Sequence, residues 1–310
     1  MVSAFDSAGQ RCSALRLLCV QEEIAERVLS LLDGALAELR LGPPDDFSTD
    51  VGPLIDADAR LRIQAYVDAR RADRCPVLSR SLPEACGNGY FMAPTLIELA
   101  SPEALRQEVF GPVLHVLRYA AQDLDDLLAV IQGAGYGLTL GIQSRLDDCV
   151  RRIAGQARVG NLYVNRSMIG AVVGVQPFGG EGLSGTGPKA GGPLSLRRLV
   201  HGAPQPLPEL SRPVRPDLER FKDWLRSGGG AGEASRETLI QAASHYASAS
   251  LEGMSLQLPG PTGERNTLRF QPRGRVLGLA DRAEGWTPHL AAVLGSVNQL
   301  VLPAGDAALL

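Results

Sequence analysis

The stretch VLHVLRYAAQDLDDLLAVIQGAGYGLTLGIQSRLDDCVRRIAGQARVGNLYVN, residues 113–165, decides the fold class. Val113 to Tyr119 is apolar and partly β-branched, as a buried strand requires. Asp123 to Gln132 then sets Leu124, Leu127, Leu128 and Ile131 at helical spacing on one side. Gly137 to Gln143 reads as a second strand, Leu146 to Ala157 as a second helix and Asn161 to Asn165 as a third strand. Strand and helix alternate, which is the pattern of an α/β fold with a largely parallel sheet and flanking helices.

The same grammar extends upstream. A strand is predicted over Ala14 to Val20 and an amphipathic helix over Gln21 to Arg40. The helix carries Ile24, Val28, Leu31, Leu32, Leu36 and Leu39 on one face and stops before Gly42-Pro43-Pro44. A second helix is predicted from Ala57 to about Ala72. Ser101-Pro102 opens a further helix, with serine capping and proline at the first helical position.

Downstream the character changes. The proline-rich runs at 203–208 and 212–216 and the glycine-rich tract 227–232 cannot continue a regular element, so a boundary is placed near 205, dividing residues 1–205 from 206–310. Past it, Arg275 to Ala280, Pro288 to Leu294 and Gln299 to Pro303 read as strand, helix and strand. That is one βαβ unit of a second α/β domain, and it looks cut short.

Composition narrows the partners. The 310 residues are 45% hydrophobic and 21% charged with a net charge of -3, which is no electrostatic invitation to nucleic acid or to an anionic membrane. A small molecule is the expected partner. The five cysteines form no CxxC and lie near no histidine pair, so no metal site is expected, and their odd number suits a reducing cytosol. No run approaches the roughly twenty apolar residues of a membrane span, and the first residues lack a signal peptide's basic and apolar regions. The chain therefore reads as soluble and cytoplasmic.

Among the cysteines, Cys12 in Ala8-Gly9-Gln10-Arg11-Cys12-Ser13-Ala14-Leu15-Arg16 stands apart. A thiol reacts as its thiolate, which needs a cation, a helix N-terminus or backbone N–H groups nearby, and Arg11 alone does not establish that. A small buried side chain is the competing reading for Cys12. Cys19, in an apolar run, reads as core, and Cys75, Cys86 and Cys149 read as structural. A cysteine hydrolase stays open if His115 or His201 meets Cys12 in space. Two other signals are decoys. Gly180 to Gly185 fits G-x-G-x-x-G, yet the following Gly-Pro-rich segment cannot open the helix that a dinucleotide fingerprint needs. Lys189 among glycines likewise lacks P-loop spacing.

Gly9-Gln10-Arg11-Cys12, Glu108-Val109-Phe110-Gly111-Pro112, Asn161-Leu162-Tyr163-Val164-Asn165-Arg166 and Gln176-Pro177-Phe178-Gly179-Gly180 occur in one order. As a set they resemble the C-terminal part of the aldehyde dehydrogenase superfamily, over about residues 8 to 200. Ser13 after the cysteine, the run from Asn165 to Pro193 and the run from Leu258 to Asn266 are similar to the proline utilization A family. Those are bifunctional enzymes of bacterial proline catabolism.

The resemblance implies an NAD-dependent oxidation of L-glutamate γ-semialdehyde to L-glutamate. It implies Cys12 as nucleophile, its own N–H as an oxyanion donor, and Ser13 facing the aldehyde substrate. Gly170 and Ala171 would hold the substrate's α-carboxylate through backbone N–H groups, and Phe178 would pack on its aliphatic part. Glu108 would accept hydrogen bonds from the nicotinamide ribose, and Phe110 would lie beside the nicotinamide. Taken without the family, Glu108 is a solvated charge and Phe178 a core aromatic.

Only eleven residues precede Cys12. The resemblance therefore implies that the dinucleotide-binding domain, the general base, the oxyanion-hole asparagine and the FAD-bearing proline dehydrogenase domain belong to the remainder of a parent polypeptide. The chain alone is expected not to turn over and to aggregate through uncovered apolar surface, and a non-catalytic fragment is the alternative. The intact enzyme is expected to be a homo-oligomer.

Overall fold

Four strands, Leu17–Gln21 (β1), Val77–Ser79 (β2), Thr95–Leu99 (β3) and Val113–Tyr119 (β4), form a sheet in the order β1-β4-β3-β2. The computed structural model describes residues 1–105, 107–201, 215–229, 233–279 and 286–302. The chain divides into two units, Met1–Leu199 and Val200–Leu310, each considered by itself. The boundary expected near 205 lies outside the described residues, as do the whole proline-rich run 203–208 and residues 212–214 of the second run.

In the first unit β4 is central and runs parallel to both β1 and β3, while β2 joins antiparallel at the edge. Val113, Leu114, Val116 and Leu117 are buried, as a strand covered on both faces demands. The helices Glu22–Glu38 (α2) and Ala57–Ala72 (α3) flank this sheet. Asp56 caps α3 by accepting the Ala59 N–H at 2.7 Å. The core gathers Ile63 and Val67 of α3, Leu36 of α2 and the inward residues of β3 and β4.

Several expectations are corrected here. Residues 113–165 do form strand, helix, strand, helix and strand, but not in one sheet. Leu124–Gly133 (α4) leads to the two-residue Tyr136–Gly137 (β5), then Thr139–Ile142 (β6), Asp147–Gln156 (α5) and Asn161–Val164 (β7). β6 pairs with β7 in parallel, while β4 is already occupied on both edges by β1 and β3. The strand expected from Gly137 is broken because β5 turns to pair with Glu181–Gly182 (β8). β1 begins at Leu17 rather than Ala14, since the N–H groups of Ala14 and Leu15 are used in the preceding turn, by the carbonyls of Arg11 and Ser3.

The predicted stripe of α2 is only partly inward. Ala25 sits closest to the sheet, with Val28 and Leu29 packed beside it, and this rotation leaves Ile24 and Leu31 exposed. Ser101 makes no capping bond, because Pro102–Ala104 is a single 3-10 turn and not a helix.

The second unit packs Pro216–Arg226 (α6), Glu233–Ala249 (α7) and Trp286–Gly295 (α8) around Leu218, Phe221, Leu225 and Ala243. Ser255–Leu258 (β9) and Asn266–Arg269 (β10) form an antiparallel pair. Arg275–Leu277 (β11) and Gln299–Val301 (β12) lie parallel on either side of α8, which makes the βαβ unit. Among the described residues no helix is long and apolar enough to cross a membrane.

On β4, His115 is fully buried. Its Nδ1 lies 3.0 Å from the Arg16 carbonyl and its Nε2 lies 2.8 Å from the Tyr66 hydroxyl. A carbonyl can only accept, so Nδ1 carries the proton and Nε2 accepts from Tyr66. Burial lowers the His115 pKa from 6.5, with the charges of Arg16 and Arg70 adding to the effect and the bond to Arg16 opposing it. A lowered folded-state value means that the neutral ring stabilises the fold above pH 6.5, and that this contribution is lost as pH falls through the folded value. The thermal midpoint is therefore expected to drop below pH 6.5. A His115→Gln variant should be less stable at neutral pH but show a shallower acid-side decline, checked by melting both proteins between about pH 5 and 8.

Candidate active site

The N-terminal helix Val2–Phe5 (α1) runs into a turn over Asp6–Gly9 in which Ser7, Ala8 and Gly9 all have positive φ, at 55°, 54° and 65°. For Ser7 and Ala8 this is a strained conformation that local preference disfavours. The turn throws the chain outward, and Cys12 stands exposed on the loop that follows. Ser13, expected to face substrate, is buried. Cys19 contrasts with Cys12: burial pushes its thiol up to about 12. Cys19 is half-buried, whereas Cys86 is buried and its thiol is likewise raised.

The second loop of the site is Glu108 to Pro112. Gly9 and Gly111 bring the two loops together so closely that a Cβ on Gly9 would overlap the Gly111 carbonyl oxygen and lie 2.7 Å from its carbon. A Cβ on Gly111 would in turn strike Ile63 of α3.

Arg16 fills the junction. Its side chain is 14% exposed, and its guanidinium donates through Nη1 to the carbonyls of Gly9 at 2.5 Å and Gly111 at 3.3 Å, and through Nη2 to that of Arg11 at 3.0 Å. Its Nε donates to Glu108 Oε1 at 3.4 Å, and the group lies 4.8 Å from the centre of the Phe110 ring. Burial draws the Arg16 pKa below its ordinary value, while Glu108 and Cys12 both act to raise it. One cation thus joins the Cys12 loop, through the Arg11 carbonyl, to Glu108 and Phe110, which lie far along the sequence.

Glu108 and Phe110 are themselves open, with 59% of the Glu108 side chain and 46% of Phe110 exposed. Among the described residues Glu108 Oε2 receives no hydrogen bond. An open carboxylate oxygen beside an open aromatic ring fits a cofactor that carries sugar hydroxyls and a planar heterocycle. A cavity of about 200 Å³ adjoins them, lined by Ala59, Arg62, Ile63, Gln107 and Val109 as well.

The third loop follows β7. Gly170 is exposed at φ 80° with open space around its Cα, and Ala171 is half-buried. Ser3 ties this loop to the cysteine loop: its hydroxyl meets Ser167 Oγ at 3.1 Å and accepts the Met168 N–H at 3.2 Å, while its carbonyl accepts the Leu15 N–H at 2.7 Å. Phe178 is half-buried and forms a bridge with Ala190. Buried Asn161 holds the segment by donating to the Pro177 carbonyl at 2.7 Å and accepting the Gly179 N–H at 3.1 Å.

His115 does not reach Cys12, since both ring nitrogens are committed to Tyr66 and Arg16. The pairing that a cysteine hydrolase would need from this histidine is not formed. The Gly180–Gly185 run enters a strand pair and turn, not a helix. Among the described residues no group of three or more His, Cys, Asp or Glu is placed to hold a metal ion.

The sequence reading overlooked Arg16, Ser3 and the Gly9–Gly111 approach. Arg16 left one signal, a charge placed directly before the apolar run Leu17 to Val20.

Comparison with known proteins adds the following. Residues 1–201 match the model of the aldehyde dehydrogenase family. The bifunctional protein PutA of Klebsiella aerogenes is 48% identical over 315 residues, covering 98% of this chain and 24% of that protein. The chain thus spans about a quarter of the length of the curated PutA relatives it matches. A crystal structure of Bradyrhizobium japonicum proline utilization A shares 52% identity at a TM-score of 0.61, covering 64% of this chain and 20% of that one. A 1-pyrroline-5-carboxylate dehydrogenase from Thermus with bound NAD shares 37% identity at a TM-score of 0.56, covering 61% and 36%.

Substituting Gly9 by alanine should separate the loops, because the new Cβ meets the Gly111 carbonyl at an unfavourable φ. A loss of roughly 2–4 kcal/mol is expected from left-handed strain plus overpacking, measured by denaturant unfolding.

Proposed function

The chain belongs to the aldehyde dehydrogenase family, and we propose that it forms the cysteine-bearing part of an enzyme that oxidises L-glutamate γ-semialdehyde to L-glutamate in proline catabolism. The observation that carries this reading is that Arg16 joins the loop of exposed Cys12, through the Arg11 carbonyl, to open Glu108 and Phe110. The likeness to PutA over nearly the whole chain supports the substrate.

The Cys12 thiolate adds to the aldehyde carbon: the C–S bond forms, the carbonyl π bond breaks, and its electron pair moves to oxygen. The Cys12 backbone N–H donates to that oxygen as charge develops. Gly170 and Ala171 hold the α-carboxylate with backbone N–H groups, which glycine at positive φ allows to approach closely. Phe178 covers the aliphatic part. NAD, when bound, supplies the acceptor for the aldehyde hydride and its two electrons. Glu108 would hold its ribose and Phe110 its ring, on the loop that Arg16 ties to the Cys12 loop. Hydrolysis of the resulting thioester frees the acid and returns the Cys12 thiol.

In the complete polypeptide, NADH formation with glutamate semialdehyde should fall by roughly 1,000-fold or more in Cys12→Ser, as loss of a nucleophile does. Retained turnover in that variant would overturn the proposal. An aldehyde of equal length without the α-carboxylate should lose roughly 100-fold or more in kcat/KM, the worth of two hydrogen bonds to a charged group. Indifference to the carboxylate would remove the substrate assignment.

A further inference from the structure

The carbonyl that Arg16 Nη2 holds at 3.0 Å is that of Arg11. This carbonyl shares a peptide unit with the Cys12 N–H. The unit is planar and trans, so the direction of its oxygen fixes the opposite direction of its N–H. A charged donor on the oxygen also polarises the amide and strengthens the N–H as a donor.

We infer that Arg16 is a positioning residue that aims and polarises the Cys12 N–H toward the developing oxyanion, and that joins this amide to the Glu108–Phe110 loop. The inference rests on the dehydrogenase reading above. The geometry behind it is specific to a guanidinium. Three carbonyls, of Gly9, Arg11 and Gly111, and one carboxylate, of Glu108, receive donors from one planar group that stacks near Phe110. A lysine has a single nitrogen on a flexible stem and cannot span these partners at once. The base of the arrangement is fixed from behind, since the Arg16 carbonyl accepts both the His115 N–H at 2.9 Å and its Nδ1–H at 3.0 Å. Arg16 touches neither aldehyde nor cofactor in this scheme. It acts through the amide.

The step concerned is the addition already described, in which a C–S bond forms and the carbonyl electron pair settles on oxygen. It differs from alkylation of the same thiolate by iodoacetamide, where iodide leaves and no oxyanion forms. The two reactions separate positioning from mere folding. In the complete polypeptide, Arg16→Lys and Arg16→Met are compared with the unsubstituted protein on three readouts. These are kcat for glutamate semialdehyde, the rate of Cys12 alkylation, and the aldehyde concentration that half-protects Cys12 from alkylation without NAD.

Expected in both variants is a fall in kcat of roughly tenfold or more and a similar weakening of aldehyde protection, with alkylation within about twofold of the unsubstituted rate in Arg16→Lys, which keeps the charge, since only the first two need the oriented N–H. Unchanged kcat and protection would overturn the inference. A parallel loss of all three in Arg16→Lys would also overturn it, by reducing Arg16 to a structural support. If the unsubstituted protein is protected by aldehyde yet forms no NADH, the dehydrogenase reading fails and Arg16 is judged on protection alone. Absence of protection in the unsubstituted protein sinks both.

Discussion

The approach of Gly9 to Gly111 is the constraint on which the site depends. Gly9 has no room for a Cβ, which would meet the Gly111 backbone, and a Cβ on Gly111 would meet the tip of the Ile63 side chain. Because the backbones can touch, a single guanidinium reaches carbonyls on both loops and a carboxylate on the second. A half-buried guanidinium is costly unless its donors are matched, and here they are matched by oxygens of the elements it joins. Arg16 is thus held by the site and holds it in turn.

Strain around Cys12 is compensated from the sheet side. Three consecutive positive-φ residues precede the loop, and such a run persists only where surrounding contacts over-determine it. The contacts are identifiable. Ser3 binds the chain just past Cys12 and also the loop after β7, while Gln10 accepts the Ile55 N–H at 2.9 Å. Beneath them runs the line from Tyr66 through His115 to the Arg16 backbone. A neutral, buried histidine suits this position because its two nitrogens can donate to one group and accept from another.

The two units differ in what they carry. The first has a parallel core sheet and all the chemistry discussed here. The second rests on packing among α6, α7 and α8, with two short strand pairs beside it. Its βαβ order was legible in the apolar run 275–280 and in the helix that follows, although α8 starts at Trp286, before Pro288.

By itself the sequence determined the local elements and the order of the chemical motifs. An apolar, partly β-branched run located β4, and the turn-rich stretch before Ala57 located the start of α3, because strand preference and turn signals act over a few neighbours. The family resemblance carried by the motif order is what put forward Cys12, Ser13, Glu108, Phe110, Gly170, Ala171 and Phe178 as site residues. Only the tertiary structure decided which strands pair, so that β4 chose β1 and β3 and left β6 to β7. It alone made Arg16 the junction and His115 its support. Those choices join residues nearly a hundred positions apart, and they turn on which backbones can approach and which buried donors find acceptors. No local spacing encodes either.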